Sequence, residues 1–438
     1  ETAYDDGNQT WKLFLRDGEA RHEIYSEAAP IESPAVEGIG PDGTSLILTM
    51  PDGKDKQLKL SDGSEEPPPD FGGRYEGVIH DPLTHRIIGV VRLAAATSYH
   101  FLNRADQAAW DAVAGAYAGE NVQIASWSAD RKRLLVRVDG KRDGAAYQLV
   151  DLNAHTSITI AQVYKGISPF DVAEVRNVTY KAADGMEIQA YLTLPDGRDP
   201  KNLPLVVLPH GGPAARDEPG FDWWSQALAS RGYAVLQPQF RGSDGFGHDF
   251  LAAGFGQWGR KMQSDVSDGV RYLAKQGTID PKRVCIVGAS YGGYAALAGI
   301  TLEHGVYRCA VAVAGVSDPH RMLVWERTRA GNDDDSLVLR YWNRFMGSEN
   351  LDDPRLNEIS PLSHAAQADA PLLLIHGRDD TVVTIQQSRD MEDALESARK
   401  PVTFVQLDGE DHWLSRPETR LKMLEETVKF LEANNPPG

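Results

Sequence analysis

Residues 284–294 read VCIVGASYGGY. Four apolar residues, Val284 to Val287, run into Gly288, and a lone serine then stands between glycines. A short apolar run fits a buried strand, and the following YAALAGITL, residues 294–302, reads as a helix. Gly288-Ala289-Ser290-Tyr291-Gly292 fits G-x-S-x-G in that strand-to-helix setting. So tight a turn forces the serine into a strained backbone conformation and leaves no room for a Cβ on either side. It lifts the Ser290 Oγ clear of the sheet and points the next N–H, that of Tyr291, where an oxyanion would form.

The text around this turn has the same grammar. PLVVLPH, YAVLQPQ, RVCIVGAS, CAVAVAG, PLLLIHG and VTFVQLDG are apolar runs separated by helical stretches such as DVSDGVRYLAKQG. The chain closes on PETRLKMLEETVKFLEAN, a further helical pattern. Strands alternating with helices predict a mostly parallel sheet with helices on both faces over 173–438, entered through a hairpin, VRNVTYKAADGMEIQAYLTLP. In such sheets ligands bind at the carboxyl ends of the strands, so functional residues are sought just after each apolar run.

Before about residue 172 the grammar differs. GPDGTSLILTM (40–50), HDPLTHRIIGVV (80–91) and SADRKRLLVRV (128–138) each place a polar turn around an aspartate before an apolar strand. The aspartates are Asp42, Asp81 and Asp130, and the wider gap holds a helical insert, RADQAAWDAVAGAYAG. A repeat of this length predicts propeller blades, with a β-sandwich as the alternative. Residues 1–172 hold three or four blades at that period, whereas a ring closes with about four to eight. The region is therefore read as a partial β-propeller, with further blades missing or supplied by a separate N-terminal fragment. A homo-oligomer is the other association considered.

Composition sets the class. Hydrophobic residues make up 41% and the formal net charge is −18, which repels a phosphate backbone, so no nucleic-acid partner is expected. No apolar run is long enough for a membrane helix, and the opening ETAYDD lacks the features of a signal peptide. The compartment is left open between cytoplasm and periplasm. The two cysteines, Cys285 and Cys309, sit in apolar runs and read as small core residues rather than as a disulfide framework.

A serine hydroxyl needs a base, and the base needs an orienting acid, in the chain order Ser, Asp or Glu, His. Five histidines follow Ser290: His304, His320, His364, His376 and His412. His412 alone follows the last strand in a loop, LDGEDHW, placed to reach back. For the acid, the loop RDDTVV offers Asp379 and Asp380, and spacing does not choose between them. LPHGGP at 208–213 opens a glycine-rich loop suited to donating a second N–H to the oxyanion, with Gly212 the candidate. Trp224, Trp325 and Arg327 are candidate substrate-binding residues, with Trp342, Phe345 and Arg321 beside them. No cysteine-histidine cluster suggests a metal, and no cofactor is expected.

HGGP, FRGSDGFG, GASYGGYAAL, HGRDDTVV and GEDHW, in that order, resemble the prolyl oligopeptidase family of serine peptidases, closest to its acylaminoacyl-peptidase and dipeptidyl-aminopeptidase branches. The resemblance implies an α/β-hydrolase domain behind a propeller, and a serine peptidase acting on short peptides. It implies Ser290 as nucleophile, His412 as base, Asp380 as acid by the pattern H-G-x-x-D-x-x-V, and Gly212 with Tyr291 as oxyanion donors. Dipeptidyl peptidases of this kind hold the substrate amine with paired glutamates, but Glu65-Glu66 lies in a proline-rich setting and is read as an ordinary loop. Two alternatives remain: an esterase or lipase of the same fold, and a catalytically inactive interaction protein.

Overall fold

The computed structural model describes residues 1–5, 7–30, 32–93, 97–139, 144–334 and 336–438. These form two compact units.

The first unit spans Glu1–Phe170 together with Glu218–Phe221 and Asp334–Tyr341. Among the described residues it holds four antiparallel sheets of consecutive strands, none closed into a barrel. The first joins Thr2–Asp5, Thr10–Asp17 and Ala20–Ala28; the second Ala35–Ile39, Ser45–Thr49, Asp55–Lys59 and Glu65–Glu66. The third joins Gly77–His80, Ile87–Leu93 and Thr97–Phe101; the fourth Asn121–Trp127, Arg133–Asp139, Ala146–Asp151 and Thr156–Gln162. Up-and-down meanders of this size are propeller-type blades.

The repeated aspartates sit in the turn that opens a strand. Asp42 Oδ1 accepts from the backbone N–H of Thr44 and Ser45, Asp81 Oδ1 from those of Leu83 and Thr84, and Asp130 Oδ1 from that of Lys132. A short carboxylate that satisfies the turn's own N–H groups is what makes Asp recur there. The helical insert is Arg104–Ala116, capped by the Asn103 side chain, and it buries Trp110 and Val113 against Val122, Leu134 and Val136. Glu65 and Glu66, expected as loop, instead form the short edge strand of the second sheet, where they pair with Lys56 at 2.8 Å and Lys59 at 3.0 Å.

The second unit is built on one eight-stranded sheet. Its strands are β1 (Glu174–Lys181), β2 (Glu187–Leu194), β3 (Leu203–Val207), β4 (Ala234–Pro238), β5 (Ile279–Ala289), β6 (Cys309–Val313), β7 (Leu372–Gly377) and β8 (Val402–Leu407). They lie in the order β1-β2-β4-β3-β5-β6-β7-β8, with antiparallel pairing confined to β1–β2 and β2–β4. The helices that matter here are α1 (Trp223–Ser230), α2 (Lys261–Lys275), α3 (Tyr291–Thr301), α4 (Pro319–Arg329), α5 (Gln386–Ser397) and α6 (Pro417–Asn434).

Strand alternation divides the core. Val206, Val235, Cys285, Val287, Val311 and Leu373 pack with Trp224 and Leu228 of α1 and Met423 and Leu431 of α6. Their neighbours along each strand face the other way, where α2 and α3 pack on the sheet. β3, β4, β6 and β7 are buried along their whole length and β5 from Val284 to Gly288, which is why these segments read as largely apolar runs.

One expectation is corrected. Cys285 and Cys309 are fully buried, but they are joined as a disulfide. β5 and β6 pair in a register that sets the two residues side by side, with Cα atoms 4.7 Å apart. Register between strands is a tertiary property, and the spacing of 24 residues carries no sign of it.

Candidate active site

The serine turn has the geometry its glycines demand. Ser290 has φ 58° and ψ −119°, between the end of β5 and the first residue of α3. This backbone region costs a non-glycine residue on the order of 1–3 kcal/mol. A Cβ on Gly288 would lie 2.4 Å from the Gly292 carbonyl oxygen, and one on Gly292 would lie 2.1 Å from that of Pro209. The close approach at Gly292 brings the 209–213 loop beside the serine. A Cβ on Gly211 would sit 3.5 Å from the Ser290 Cβ. The Tyr291 N–H belongs to the first turn of α3, where N–H groups have no intrahelical acceptor. Gly212 has φ 116° and precedes a cis peptide bond to Pro213.

After β7 and β8 come two loops stitched together by their backbones. Arg378 N–H donates to the Leu407 carbonyl at 2.9 Å, and Asp379 N–H to that of Glu410 at 3.0 Å. The approach is so close that a Cβ on Gly377 would meet the Glu410 carbonyl oxygen at 2.5 Å. This contact carries His412 to Asp380: Nδ1 lies 2.7 Å from Oδ2. Asp379 is exposed and points elsewhere, while the Asp380 side chain is wholly buried. Burial pushes the Asp380 carboxyl up, but hydrogen bonds from His376 and His412 outweigh it and hold the group at about 2. The other oxygen, Oδ1, accepts from the N–H of Val382 at 2.8 Å and of Val383 at 2.9 Å. The carboxylate is thus ionised, satisfied on both oxygens and fixed in orientation.

Two residues that sequence reasoning set aside or missed hold this arrangement. His376 is fully buried; its Nε2 donates to the Val383 carbonyl at 2.8 Å and lies 3.3 Å from Asp380 Oδ2, while Nδ1 accepts from the Ser388 hydroxyl at 2.7 Å. It braces the acid. Glu410, also fully buried, accepts from the N–H groups of Asp411, Ser415 and Arg416 and from the Thr419 hydroxyl, and so folds the loop that carries His412. Its only signal in the sequence is an acid two residues before the histidine.

The structure joins His412 to Asp380 and sets the glycine loop beside Ser290. Among the described residues the Ser290 hydroxyl makes no hydrogen bond to His412. The proposed substrate contacts divide. Trp325 on α4 donates Nε1–H to the carbonyl of Thr381, next to the acid, at 3.2 Å. Arg327 lies half-buried on the same helix. Trp224 belongs to the core: it is buried in one cluster with Leu208, Leu228 and Tyr233 and stacks on the partly buried Trp223 at 5.6 Å. Arg321 is engaged by Asp390 and Asp318, and Phe345 is fully buried against Phe255. Among the described residues no cluster of metal-ligating side chains occurs.

The family model described as "Prolyl oligopeptidase family" matches residues 219–435, most of the unit that carries this site. Over these residues the chain belongs to the prolyl oligopeptidase family. Among curated relatives it is 31% identical to dipeptidyl aminopeptidase BIII of Pseudoxanthomonas mexicana, over 97% of this chain and 61% of that protein. It is 28% identical to the acylamino-acid-releasing enzyme of Mus musculus, over 59% of this chain and 35% of that one. The chain thus spans about three fifths of the first relative's length. Among solved structures, a puromycin-hydrolyzing peptidase of Mycobacterium tuberculosis superposes with a TM-score of 0.74 at 20% identity, over 98% of this chain and 66% of that one. That likeness concerns the fold, propeller-type blades followed by an α/β-hydrolase unit.

Proposed function

We propose that the protein is a serine peptidase that cleaves short peptides through an acyl-enzyme. Ser290 Oγ attacks the carbonyl carbon while His412 Nε2 takes its proton. Asp380 keeps the Nδ1–H tautomer and stabilises the imidazolium. The tetrahedral oxyanion accepts hydrogen bonds from the N–H groups of Tyr291 and Gly212. The C–N bond then breaks, the amine leaves with the proton from His412, and water repeats the sequence to release the acyl group. The observation that carries this reading is the 2.7 Å bond between His412 Nδ1 and a buried, ionised Asp380, set at the carboxyl ends of the sheet that also presents Ser290. The Ser290–His412 bond closes when substrate arrives, as such contacts do in unliganded hydrolases.

Within the peptidases, release of dipeptides from a free amino terminus is the reading favoured here. The relative named for that activity aligns over 97% of this chain, whereas the acylamino-acid-releasing relative aligns over 59%. The deciding experiment offers matched peptides with free, N-acetylated and C-amidated ends and identifies products by mass. Dipeptides from the free-amine peptides alone are expected. Release of acetyl-amino acids would move the protein to the acylaminoacyl branch. Turnover of p-nitrophenyl esters with no peptide cleaved would make it an esterase.

A further inference from the structure

No step of the acyl-enzyme mechanism uses the residue that follows the base, and that residue is a tryptophan in water. Trp413 is 74% exposed, and among the described residues of the second unit no large apolar side chain is more so. Its indole stands perpendicular to the His412 imidazole, with ring centres 5.3 Å apart and an interplanar angle of 89°.

The loop holds it there firmly. Asp411 Oδ1 accepts from the Trp413 N–H at 2.9 Å, and the Ser415 hydroxyl donates to Asp411 Oδ2 at 2.8 Å. The buried Glu410 accepts from the Ser415 N–H at 2.9 Å. Leu414 takes φ 52°, a left-handed conformation that non-glycine residues seldom adopt, and its side chain joins the core. The chain is thus pinned on both sides of residue 413. The turn buries one apolar side chain and leaves the one before it in solvent.

The imidazole decides what this indole faces. The Nδ1 edge of His412 meets Asp380, whose side chain is wholly buried, and the His412 side chain is itself only 6% exposed. An indole in water does not share that buried edge, so it stands where the imidazole turns towards solvent. Nε2 lies on the ring's other side from the acid, and it gives its proton to the departing amine. That amine belongs to the first residue of the leaving group and comes within about 3 Å of Nε2 to take the proton. With the indole centre 5.3 Å from the imidazole centre, the side chain of the leaving residue is within reach of the indole.

We propose that Trp413 is a specificity-determining residue for the leaving group, its indole receiving an apolar or aromatic side chain on the first residue after the cleaved bond. The proposal rests on the peptidase reading. The surface is flat, apolar and already fixed, so little ordering accompanies its use. A glycine in that position has no side chain to lay on it.

The test uses three peptides that differ only in that residue, Gly, Leu or Phe, and the matching methyl ester, whose leaving group is methanol and carries no side chain. Values of kcat/KM are measured for the wild type, Trp413→Ala and Trp413→Phe in the intact chain. The wild type is expected to prefer Leu and Phe over Gly by about tenfold, the effect of covering a side chain of this size on one face. Trp413→Ala is expected to shrink that preference to within about twofold, and Trp413→Phe to keep about fivefold of it. The ratio of Leu-peptide to methyl-ester turnover is expected to fall in Trp413→Ala by about fivefold or more. A tryptophan that merely supports the loop or shields the imidazole lowers all four substrates alike and leaves both ratios where they were, which overturns the proposal. A wild type that cleaves the Gly and Leu peptides equally well also overturns it, and that result needs no variant to fold. A wild type that cleaves no peptide at all is a different outcome, which removes the peptidase reading and the proposal with it.

Discussion

Replacing Asp380 by Asn tests the acid–imidazole pair through an exchange of one oxygen for one nitrogen. Asp380 Oδ2 faces the Nδ1–H of His412, and Oδ1 faces two backbone N–H groups. An Asn in either orientation points an NH₂ group at a donor. If it faces His412, the imidazole must carry its proton on Nε2 and can no longer accept one from Ser290. If it faces Val382 and Val383, the loop loses two hydrogen bonds. A change of this kind in a Ser-His-Asp triad costs about 10⁴ in kcat, or roughly 5.5 kcal/mol of transition-state stabilisation. The same substitution removes a term in stability. Hydrogen bonding holds the folded carboxyl at about 2, against an ordinary value of 3.8, a difference of about 2 kcal/mol. Because the folded value is the lower one, this stabilisation is present above about pH 4 and is lost as pH falls towards 2. Initial rates on a dipeptide anilide give kcat, and thermal melts between pH 2 and 7 give the stability term. A folded Asp380→Asn protein that retains a tenth of wild-type kcat would refute the reasoning.

Other substitutions read other parts of the account. Gly292→Ala would press a Cβ against the Pro209 carbonyl at 2.1 Å, and steric displacement of the glycine loop is expected to lower stability by about 1–3 kcal/mol and kcat with it, read by melting and initial rates. Arg241 lies buried between Asp265, at 2.7 Å, and Asp184, at 2.8 Å; Arg241→Ala leaves the Asp265 charge unpaired and is expected to cost about 3–5 kcal/mol in denaturant unfolding. The Cys285–Cys309 bond predicts an intact mass about 2 Da below the dithiol form and no alkylation even in denaturant until a reductant is added, and reducing it should remove about 3.5 kcal/mol for a loop of this length.

How much of this was legible in the sequence follows from the range of each interaction. The serine turn was legible because strand, glycines and helix are neighbours in the chain, and the constraint is local. The turns at Asp42, Asp81 and Asp130 were legible for the same reason: each carboxylate bonds N–H groups within three residues. Spacing alone did not choose between Asp379 and Asp380, since adjacent residues differ only in which one the β8 loop covers; only the motif H-G-x-x-D-x-x-V, through the family resemblance, pointed to Asp380. His376 was passed over in favour of His412, yet from the end of β7 it reaches the Val383 carbonyl and Asp380 and braces the next loop. Trp224 misled because an aromatic beside a glycine loop looks like pocket lining, and only the packing of α1 against α6 and the sheet shows it to be core. The disulfide depended on register between β5 and β6, which no local pattern encodes.

The most direct measurement of the central claim is labelling by a fluorophosphonate probe, which bonds covalently to a serine activated by a neighbouring base. The native protein is treated, digested and mapped by mass, with Ser290→Ala in parallel. One adduct is predicted, on the peptide containing Ser290, absent in the variant and strongly reduced in Asp380→Asn. No adduct on the folded protein, or an adduct on a different serine that persists in Ser290→Ala, would contradict the assignment.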